Sequence, residues 1–170
     1  LKRMEYRGYD SSGVAMISGG KLLVKKGVGR LEEVNAKYGL DRMPGSLGIG
    51  HTRWATHGGV TQVNTHPHCD CSNEIAVIHN GIIDNYQELR KDLVKRRHRF
   101  LSETDTEVIP HMIEDEMKNG RALEEAVMVV ARRLQGSYAF LAISTREPGK
   151  IVGTRKGSPL VVGLGKNKAF

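Results

Sequence analysis

The sequence is poor in cysteine, in aromatic residues and in long apolar runs. Its two cysteines, Cys69 and Cys71, are separated by one residue, a spacing poorly suited to a mutual disulfide bond, so disulfides are not its folding framework. Apolar runs such as residues 127–131 and 140–143 are far shorter than the roughly 20 residues that cross a bilayer. The start of the sequence contains no apolar stretch of the kind found in signal peptides. We therefore expect a reducing, cytoplasmic environment and no membrane partner.

A surplus of basic residues gives the sequence a formal net charge of +7, which could serve an anionic partner. The basic residues are spread along the chain except in residues 95–99, Lys-Arg-Arg-His-Arg. That run closes a predicted helix, where cations offset the negative end of the helix dipole. We interpret it as a solvated helix terminus and expect no nucleic-acid partner.

The length of 170 residues and the hydrophobic fraction of 39% suit one domain that can bury its own core. Apolar, strand-like runs predict strands over residues 13–18, 21–25, 47–52, 74–79, 137–144, 150–154 and 160–163. Helical spacing and start signals predict helices over residues 30–38, 85–100, 104–117 and 123–134. Gly19-Gly20 suits a hairpin turn, and Asn85 with Glu88 suits a helix-capping box. Strands, then consecutive helices, then strands again indicate an α+β fold.

Small and charged residues concentrate near the ends of predicted strands, where a rigid scaffold commonly presents a site. These clusters are residues 6–11, 51–58, 79–81 and 102–107. Asn80-Gly81 offers a side-chain amide beside an unhindered backbone N–H, a pair that can hold a developing oxyanion. The same dipeptide is the commonest in type I′ hairpin turns, and spacing alone favours the turn.

Two charged residues in these clusters could together hold an α-amino acid. Arg53 supplies a planar, two-pronged donor for a carboxylate, and Asp105 is a natural counterpart for an ammonium group. Considered separately, Arg53 is more simply explained as a surface arginine, and Asp105 as a helix-capping aspartate. Trp54, the single tryptophan, could be a core anchor or a movable cover over a pocket.

A run of potential zinc ligands lies in residues 66–71, His-Pro-His-Cys-Asp-Cys. Its candidate ligands are His66, His68, Cys69 and Cys71. Four ligands within six residues can hardly all reach one tetrahedral ion, so a polar loop is the favoured interpretation and we expect no metal.

The clusters at residues 6–11, 51–58, 79–83 and 102–108 occur in the same order and at matching separations in glucosamine-6-phosphate synthases. The sequence resembles the glutaminase domain of that family along nearly its whole length. The string Tyr-Arg-Gly-Tyr-Asp-Ser at residues 6–11 favours this family over other class II amidotransferases. The resemblance implies an N-terminal-nucleophile hydrolase fold, a four-layer αββα sandwich, with residues 1–170 forming the glutaminase domain.

The implied reaction hydrolyses the side-chain amide of L-glutamine to glutamate and ammonia without a cofactor. The ammonia would pass to a separate sugar-phosphate isomerase domain of the same parent protein, which uses fructose 6-phosphate, and the parent is expected to be a homo-oligomer. The resemblance assigns the oxyanion hole to Asn80 and Gly81, the carboxylate clamp to Arg53 and the ammonium partner to Asp105. It assigns the mobile cover over glutamine to Trp54, Thr56 and His57. Arg7 and Asp10 match a segment that helps to arrange this region.

The family's nucleophile is the thiolate of an N-terminal cysteine whose own α-amine acts as the base. The sequence begins at Leu1, and neither Cys69 nor Cys71 has a free amine. We therefore expect a domain trimmed at both ends, without its nucleophile segment and last strands, and inactive by itself. The alternatives are a degenerate glutamine-binding or regulatory module and another class II amidotransferase.

Overall fold

The computed structural model describes residues 1–54 and 59–170. Its first sheet has three antiparallel strands, β1 (Ser11–Ser18), β2 (Lys21–Val28) and β3 (Leu47–Arg53), in the order β2-β1-β3. Gly19 and Gly20 form the predicted hairpin turn with φ angles of 57° and 72°, which suit a type I′ turn. Helix α1 (Leu31–Tyr38) follows β2.

The second sheet contains β4 (His68–Cys69), β5 (Ile75–Ile83), β6 (Gly136–Ser144) and β7 (Val152–Lys156), in that order and antiparallel throughout. Between β5 and β6 the chain forms helices α2 (Tyr86–Lys95), α3 (Val108–Lys118) and α4 (Leu123–Arg133). A small hairpin of β8 (Leu164–Gly165) and β9 (Lys168–Ala169) completes the described chain.

Alternation along the strands explains how these elements form four layers. On β6, Tyr138 and Phe140 face helices α2–α4, whereas Leu141 and Ile143 face the first sheet. On β1, Ala15 faces the second sheet and Val14 packs against α1. The order is therefore α1, first sheet, second sheet and α2–α4, as an αββα sandwich requires.

The predicted helical faces of α3 and α4 are confirmed. Val108, Ile109, Met112 and Ile113 of α3 are at most 1% exposed, and Met117 is also buried. On α4 the residues Leu123, Ala126, Val127 and Val130 pack into the same core. In the described parts of the chain, every helix is too short or too polar to span a bilayer.

Several local predictions are wrong. Strand β5 does not end before Asn80-Gly81 but runs through both residues to Ile83, because β6 pairs with its whole length. Residues 160–163 are not a strand, and the short strand β8 follows them. The strand predicted over residues 150–154 begins two residues later, at Val152.

Helix α2 ends at Lys95 rather than near residue 100, since Arg97 has a φ angle of 70°. Asn85 makes no side-chain capping bond to α2, so the predicted capping box is wrong. The basic run of residues 95–99 is only partly a solvated helix terminus, because His98 within it is buried.

Candidate active site

Arg53, the last residue of β3, is held at the end of the first sheet and is only 4% exposed. Its carbonyl oxygen accepts a hydrogen bond of 3.1 Å from the Asp10 backbone N–H, which fixes the segment before β1 against β3. Burial lowers the pKa of Arg53, and the nearby carboxylates of Asp10 and Asp105 oppose that shift. Two nearby carboxyl groups thus favour the cationic form of the Arg53 guanidinium.

Gly8 allows the segment before β1 to lie this close to β3. A Cβ atom on Gly8 would lie 2.7 Å from the carbonyl carbon of Arg53 and 2.9 Å from the Thr52 oxygen, so a side chain does not fit. The neighbouring Tyr9 ring meets the Trp54 ring edge-on, with 5.3 Å between the ring centroids.

Trp54 is 56% exposed, so its interpretation as a core anchor is wrong. Its role as a cover stays a prediction. Thr56 and His57, the other two predicted cover residues, lie outside the described residues.

Asn80 and Gly81 lie in the exposed part of β5, between buried His79 and buried Ile83. Gly81 has a φ angle of 121°, and a Cβ atom there would lie 2.1 Å from the Ser137 carbonyl oxygen on β6. Only glycine meets both requirements. Asn80-Gly81 therefore lies within strand β5, where Gly81 occupies a position that only glycine fits. The interpretation of the dipeptide as a hairpin turn is wrong.

His51 on β3 fixes the orientation of the Asn80 side chain. The His51 Nε2 atom lies 2.9 Å from Asn80 Oδ1, and because an amide oxygen only accepts, Nε2 carries the proton. Burial lowers the pKa of His51, the bond to Asn80 opposes this, and the charge of Arg53 lowers the pKa further, so the ring is neutral. The Asn80 amide N–H groups consequently point away from His51.

Asp105 begins the 3-10 turn that precedes α3 and is 5% exposed. Its Oδ2 atom accepts a hydrogen bond of 2.9 Å from the Ile83 backbone N–H, two residues beyond Gly81. This bond ties the carboxylate to the strand that carries Asn80. The structure therefore brings Arg53, Asn80, Gly81 and Asp105 to one end of the two sheets.

A cluster of buried histidines behind this site was not predicted. It consists of His51, His66, His68 and His79 and is called the histidine cluster below. The His66 ring lies with its centroid 4.4 Å from that of His51 and 4.8 Å from that of His68.

Threonine hydroxyls from the turn before α3 bind these rings. Thr106 Oγ1 lies 3.1 Å from His66 Nε2 and 2.8 Å from His79 Nδ1, and Thr104 Oγ1 lies 3.1 Å from His68 Nε2. Burial chiefly lowers the pKa of His68 to about 3 and that of His79 to about 4, so these rings are neutral near pH 7. The only hint of this cluster in the sequence is that its four histidines lie in three polar segments.

The predicted alternative zinc ligands do not form one set. His66 and His68 bind threonines, whereas Cys71 Sγ lies 3.6 Å from His111 Nδ1 on α3. Burial raises the pKa of the Cys69 thiol to about 12 and also raises that of Cys71. Neither thiol is therefore activated as a nucleophile.

Comparisons with known proteins show which sequences and structures the chain resembles. A family model described as "glutamine amidotransferase domain" matches residues 51–168. The chain is 54% identical over 170 residues to the glutamine--fructose-6-phosphate aminotransferase (isomerizing) of Methanothermobacter thermautotrophicus, covering 100% of the chain and 29% of that protein. It is 52% identical over 172 residues to the protein of the same name from Aquifex aeolicus, covering 100% of the chain and 28% of that protein.

A solved structure is also similar. The glutamine phosphoribosylpyrophosphate amidotransferase of B. subtilis, in complex with ADP and GMP, superimposes with a TM-score of 0.72 at 30% identity. The match covers 85% of the chain and 31% of that protein. The predicted α+β fold of the N-terminal-nucleophile type is thereby confirmed. The chain spans less than a third of the length of each of these three relatives.

Proposed function

The chain belongs to the glutamine amidotransferase domain family, and from this premise we propose that residues 1–170 form the glutamine-hydrolysing domain of a glutamine--fructose-6-phosphate aminotransferase. The names of the relatives that are 54% and 52% identical support the choice of parent enzyme. The domain hydrolyses the side-chain amide of L-glutamine, and the ammonia passes to a sugar-phosphate isomerase domain of the same parent protein. There it is used to make glucosamine 6-phosphate from fructose 6-phosphate.

The observation that carries this proposal is the convergence of Arg53, Asn80 and Asp105 at one end of the sheets. Arg53 lies close enough to Asp105 for the Asp105 carboxyl group to raise the pKa of Arg53. The α-carboxylate and α-ammonium groups of an amino acid are attached to one carbon, so their protein partners must be neighbours of opposite charge. Arg53 then binds the carboxylate of glutamine with its two-pronged donor, and Asp105 binds the ammonium group.

Asn80 and Gly81 stabilise the oxyanion of the tetrahedral intermediate in this proposal. Because His51 holds the Asn80 carbonyl oxygen, the amide N–H groups are directed away from the buried cluster. A donor that is oriented before the reaction loses no energy in turning toward the developing charge. The neutral His51 ring brings no second positive charge to the site.

The nucleophile is assigned to an N-terminal cysteine thiolate with its own α-amine as base. The raised pKa of the buried Cys69 thiol supports this assignment, because Cys69 is not activated as a nucleophile. Trp54, Thr56 and His57 cover bound glutamine. The exposed position of Trp54 beside Tyr9 supports a cover rather than a packing role.

The test is steady-state ammonia release from glutamine by the full-length product of the gene, with its mature N-terminus verified by mass. We expect Asn80→Ala to lower kcat by about 100- to 1,000-fold, the usual effect of losing one oxyanion donor. We expect Arg53→Ala to act mainly by raising KM for glutamine. Arg42→Ala is the matched control, because Arg42 is exposed at the end of the 3-10 turn after α1.

Wild-type ammonia release that neither Asn80→Ala nor Arg53→Ala alters would contradict the assigned roles. Glutamine binding in calorimetry without turnover by correctly processed protein would favour the degenerate binding module instead. Formation of glucosamine 6-phosphate from fructose 6-phosphate and glutamine tests the choice of parent enzyme separately.

A further inference from the structure

Four potential metal ligands from three distant segments meet outside the candidate active site. Cys71 lies in the turn between β4 and β5, His98 follows α2, and His111 and Glu114 are one turn apart on α3. Cys71 Sγ, an imidazole nitrogen of each histidine and a Glu114 oxygen all lie within 4.8 Å of one another. His98, His111 and Glu114 are buried, whereas Cys71 is exposed.

Four of the six distances between these atoms are close to the edges of a tetrahedron around a zinc ion. Cys71 Sγ lies 3.7 Å from His98 Nδ1 and 3.6 Å from His111 Nδ1. Glu114 Oε2 lies 3.1 Å from His98 Nδ1 and 3.5 Å from His111 Nδ1. Zinc bonds of about 2.3 Å to sulfur and about 2.0 Å to nitrogen or oxygen give tetrahedral edges of about 3.3 to 3.6 Å.

The outer sides of both imidazoles face carboxylates, as is usual for histidines that bind zinc. His98 Nε2 lies 2.7 Å from Asp115 Oδ1, and His111 Nε2 lies 3.8 Å from Glu107 Oε1. The carboxylate of Asp115 only accepts, so His98 carries a proton on Nε2. The His98 ring can thus direct the lone pair of Nδ1 inward, whereas His111 Nε2 lies beyond hydrogen-bond distance of Glu107.

Backbone groups support the remaining two ligands. The Arg99 N–H donates to Cys71 Sγ over 3.3 Å, and the Cys71 N–H donates to Glu114 Oε2 over 3.3 Å. Glu114 Oε1 accepts a bond of 2.7 Å from Lys118 Nζ, which leaves Oε2 directed at the centre of the four ligands. A cleft lined by Cys71, Arg97 and Arg99 gives the site access to solvent.

We propose that Cys71, His98, His111 and Glu114 bind one zinc ion in a closed, structural site. A cysteine thiolate with imidazoles selects zinc over magnesium or calcium, and four protein ligands leave no open position for catalysis. The thiolate and the carboxylate together balance the charge of the ion. Bound zinc joins the turn between β4 and β5 to the middle of α3, the helix that follows the turn carrying Asp105.

Metal analysis of the purified full-length protein after extensive dialysis tests this site. We expect about one more zinc ion per chain in the wild type than in Cys71→Ser. The matched control is Cys69→Ser, since Cys69 packs in the core between the sheets and is expected to keep the zinc content of the wild type. Equal zinc content in the wild type and in Cys71→Ser would overturn the proposal.

Two measurements on the wild type do not depend on how a variant folds. Zinc-edge X-ray absorption should show one sulfur and three nitrogen or oxygen neighbours at the distances given above. Cobalt(II) in place of zinc should give the intense visible bands of a tetrahedral ion and a thiolate charge-transfer band. A six-coordinate spectrum without sulfur would overturn the proposal, whatever the outcome of the glutaminase assays.

Discussion

At the scale of single residues, the most informative contact is the hydrogen bond from His51 to Asn80. Asn80 is exposed and could rotate, whereas His51 is buried and fixed. The hydrogen bond of 2.9 Å between them holds the exposed Asn80 amide in the orientation that the buried His51 ring sets. His51 is therefore a positioning residue in the proposed mechanism, because it acts on the oxyanion through Asn80.

We expect His51→Leu to lower kcat for glutamine hydrolysis by about 10-fold or more, since the freed Asn80 amide must then be oriented during each turnover. KM for glutamine should change little, because Arg53 and Asp105 bind the substrate. His51→Gln places an amide N–H near the position of Nε2 and should recover part of kcat. A His51→Leu enzyme with unchanged kcat, or with a raised KM alone, would refute the positioning role.

At the scale of elements, Asn85 connects the start of α2 to the end of α4. Its Nδ2 atom donates a hydrogen bond of 3.0 Å to the Arg133 carbonyl oxygen. Its Oδ1 atom accepts a bond of 3.0 Å from the Gln135 N–H. The residue predicted to cap its own helix therefore satisfies backbone groups beside β6 instead.

We expect Asn85→Ala to lower the free energy of unfolding by about 1–2 kcal/mol, because two backbone groups lose their partner. Asn85→Asp keeps the acceptor for the Gln135 N–H but loses the donor to the Arg133 carbonyl oxygen. Its free energy of unfolding should therefore lie between those of the wild type and Asn85→Ala. Urea unfolding followed by circular dichroism measures both. Asn119→Ala, at the exposed end of α3, is the control and should stay within about 0.5 kcal/mol of the wild type. An unchanged midpoint for Asn85→Ala would show that water replaces these bonds at no cost.

At the scale of the whole molecule, the histidine cluster joins the two sheets below the candidate active site. His51 belongs to the first sheet, His68 and His79 belong to the second, and His66 lies on the loop that leads to β4. The neutral rings of His66, His68 and His79 bind Thr104 and Thr106 in the turn that carries Asp105. Folding in this region therefore requires four uncharged histidines.

This requirement predicts that stability falls in mild acid. The unfolded chain binds protons at His68 and His79 near the ordinary pKa of 6.5, whereas the folded chain does so only near about 3 and about 4. Between pH 6.5 and 4 the unfolded state thus binds more protons, and stability decreases as the pH falls. Each histidine contributes up to about 1.4 kcal/mol per pH unit.

Urea unfolding at pH 7, 6 and 5 measures this dependence. His79→Gln removes one titrating ring, so its stability should fall less steeply with acid than that of the wild type. The two proteins are compared by the slope of unfolding free energy against pH. A loss of stability that is the same at every pH does not affect this slope. Identical slopes in both proteins would mean that His79 does not resist protonation in the folded state.

Elements with local signals could be predicted from the amino-acid sequence alone. Apolar runs predicted the long strands β1 and β6, and helical spacing of apolar residues predicted the buried faces of α3 and α4. Resemblance to a known family supplied the αββα layers and the chain segments that meet at the candidate site. These signals suffice because a strand or helix buries a face that its own residues define.

Features that depend on residues far apart in the chain became clear only from the packing of the whole fold. Asn80-Gly81 lies within a strand and not a turn because β6 pairs along it. His51 fixes Asn80 across two sheets, and Cys71 meets His98 and His111 from two other segments. No local pattern encodes such contacts, because they arise when packing of the apolar faces sets the register and spacing of whole elements.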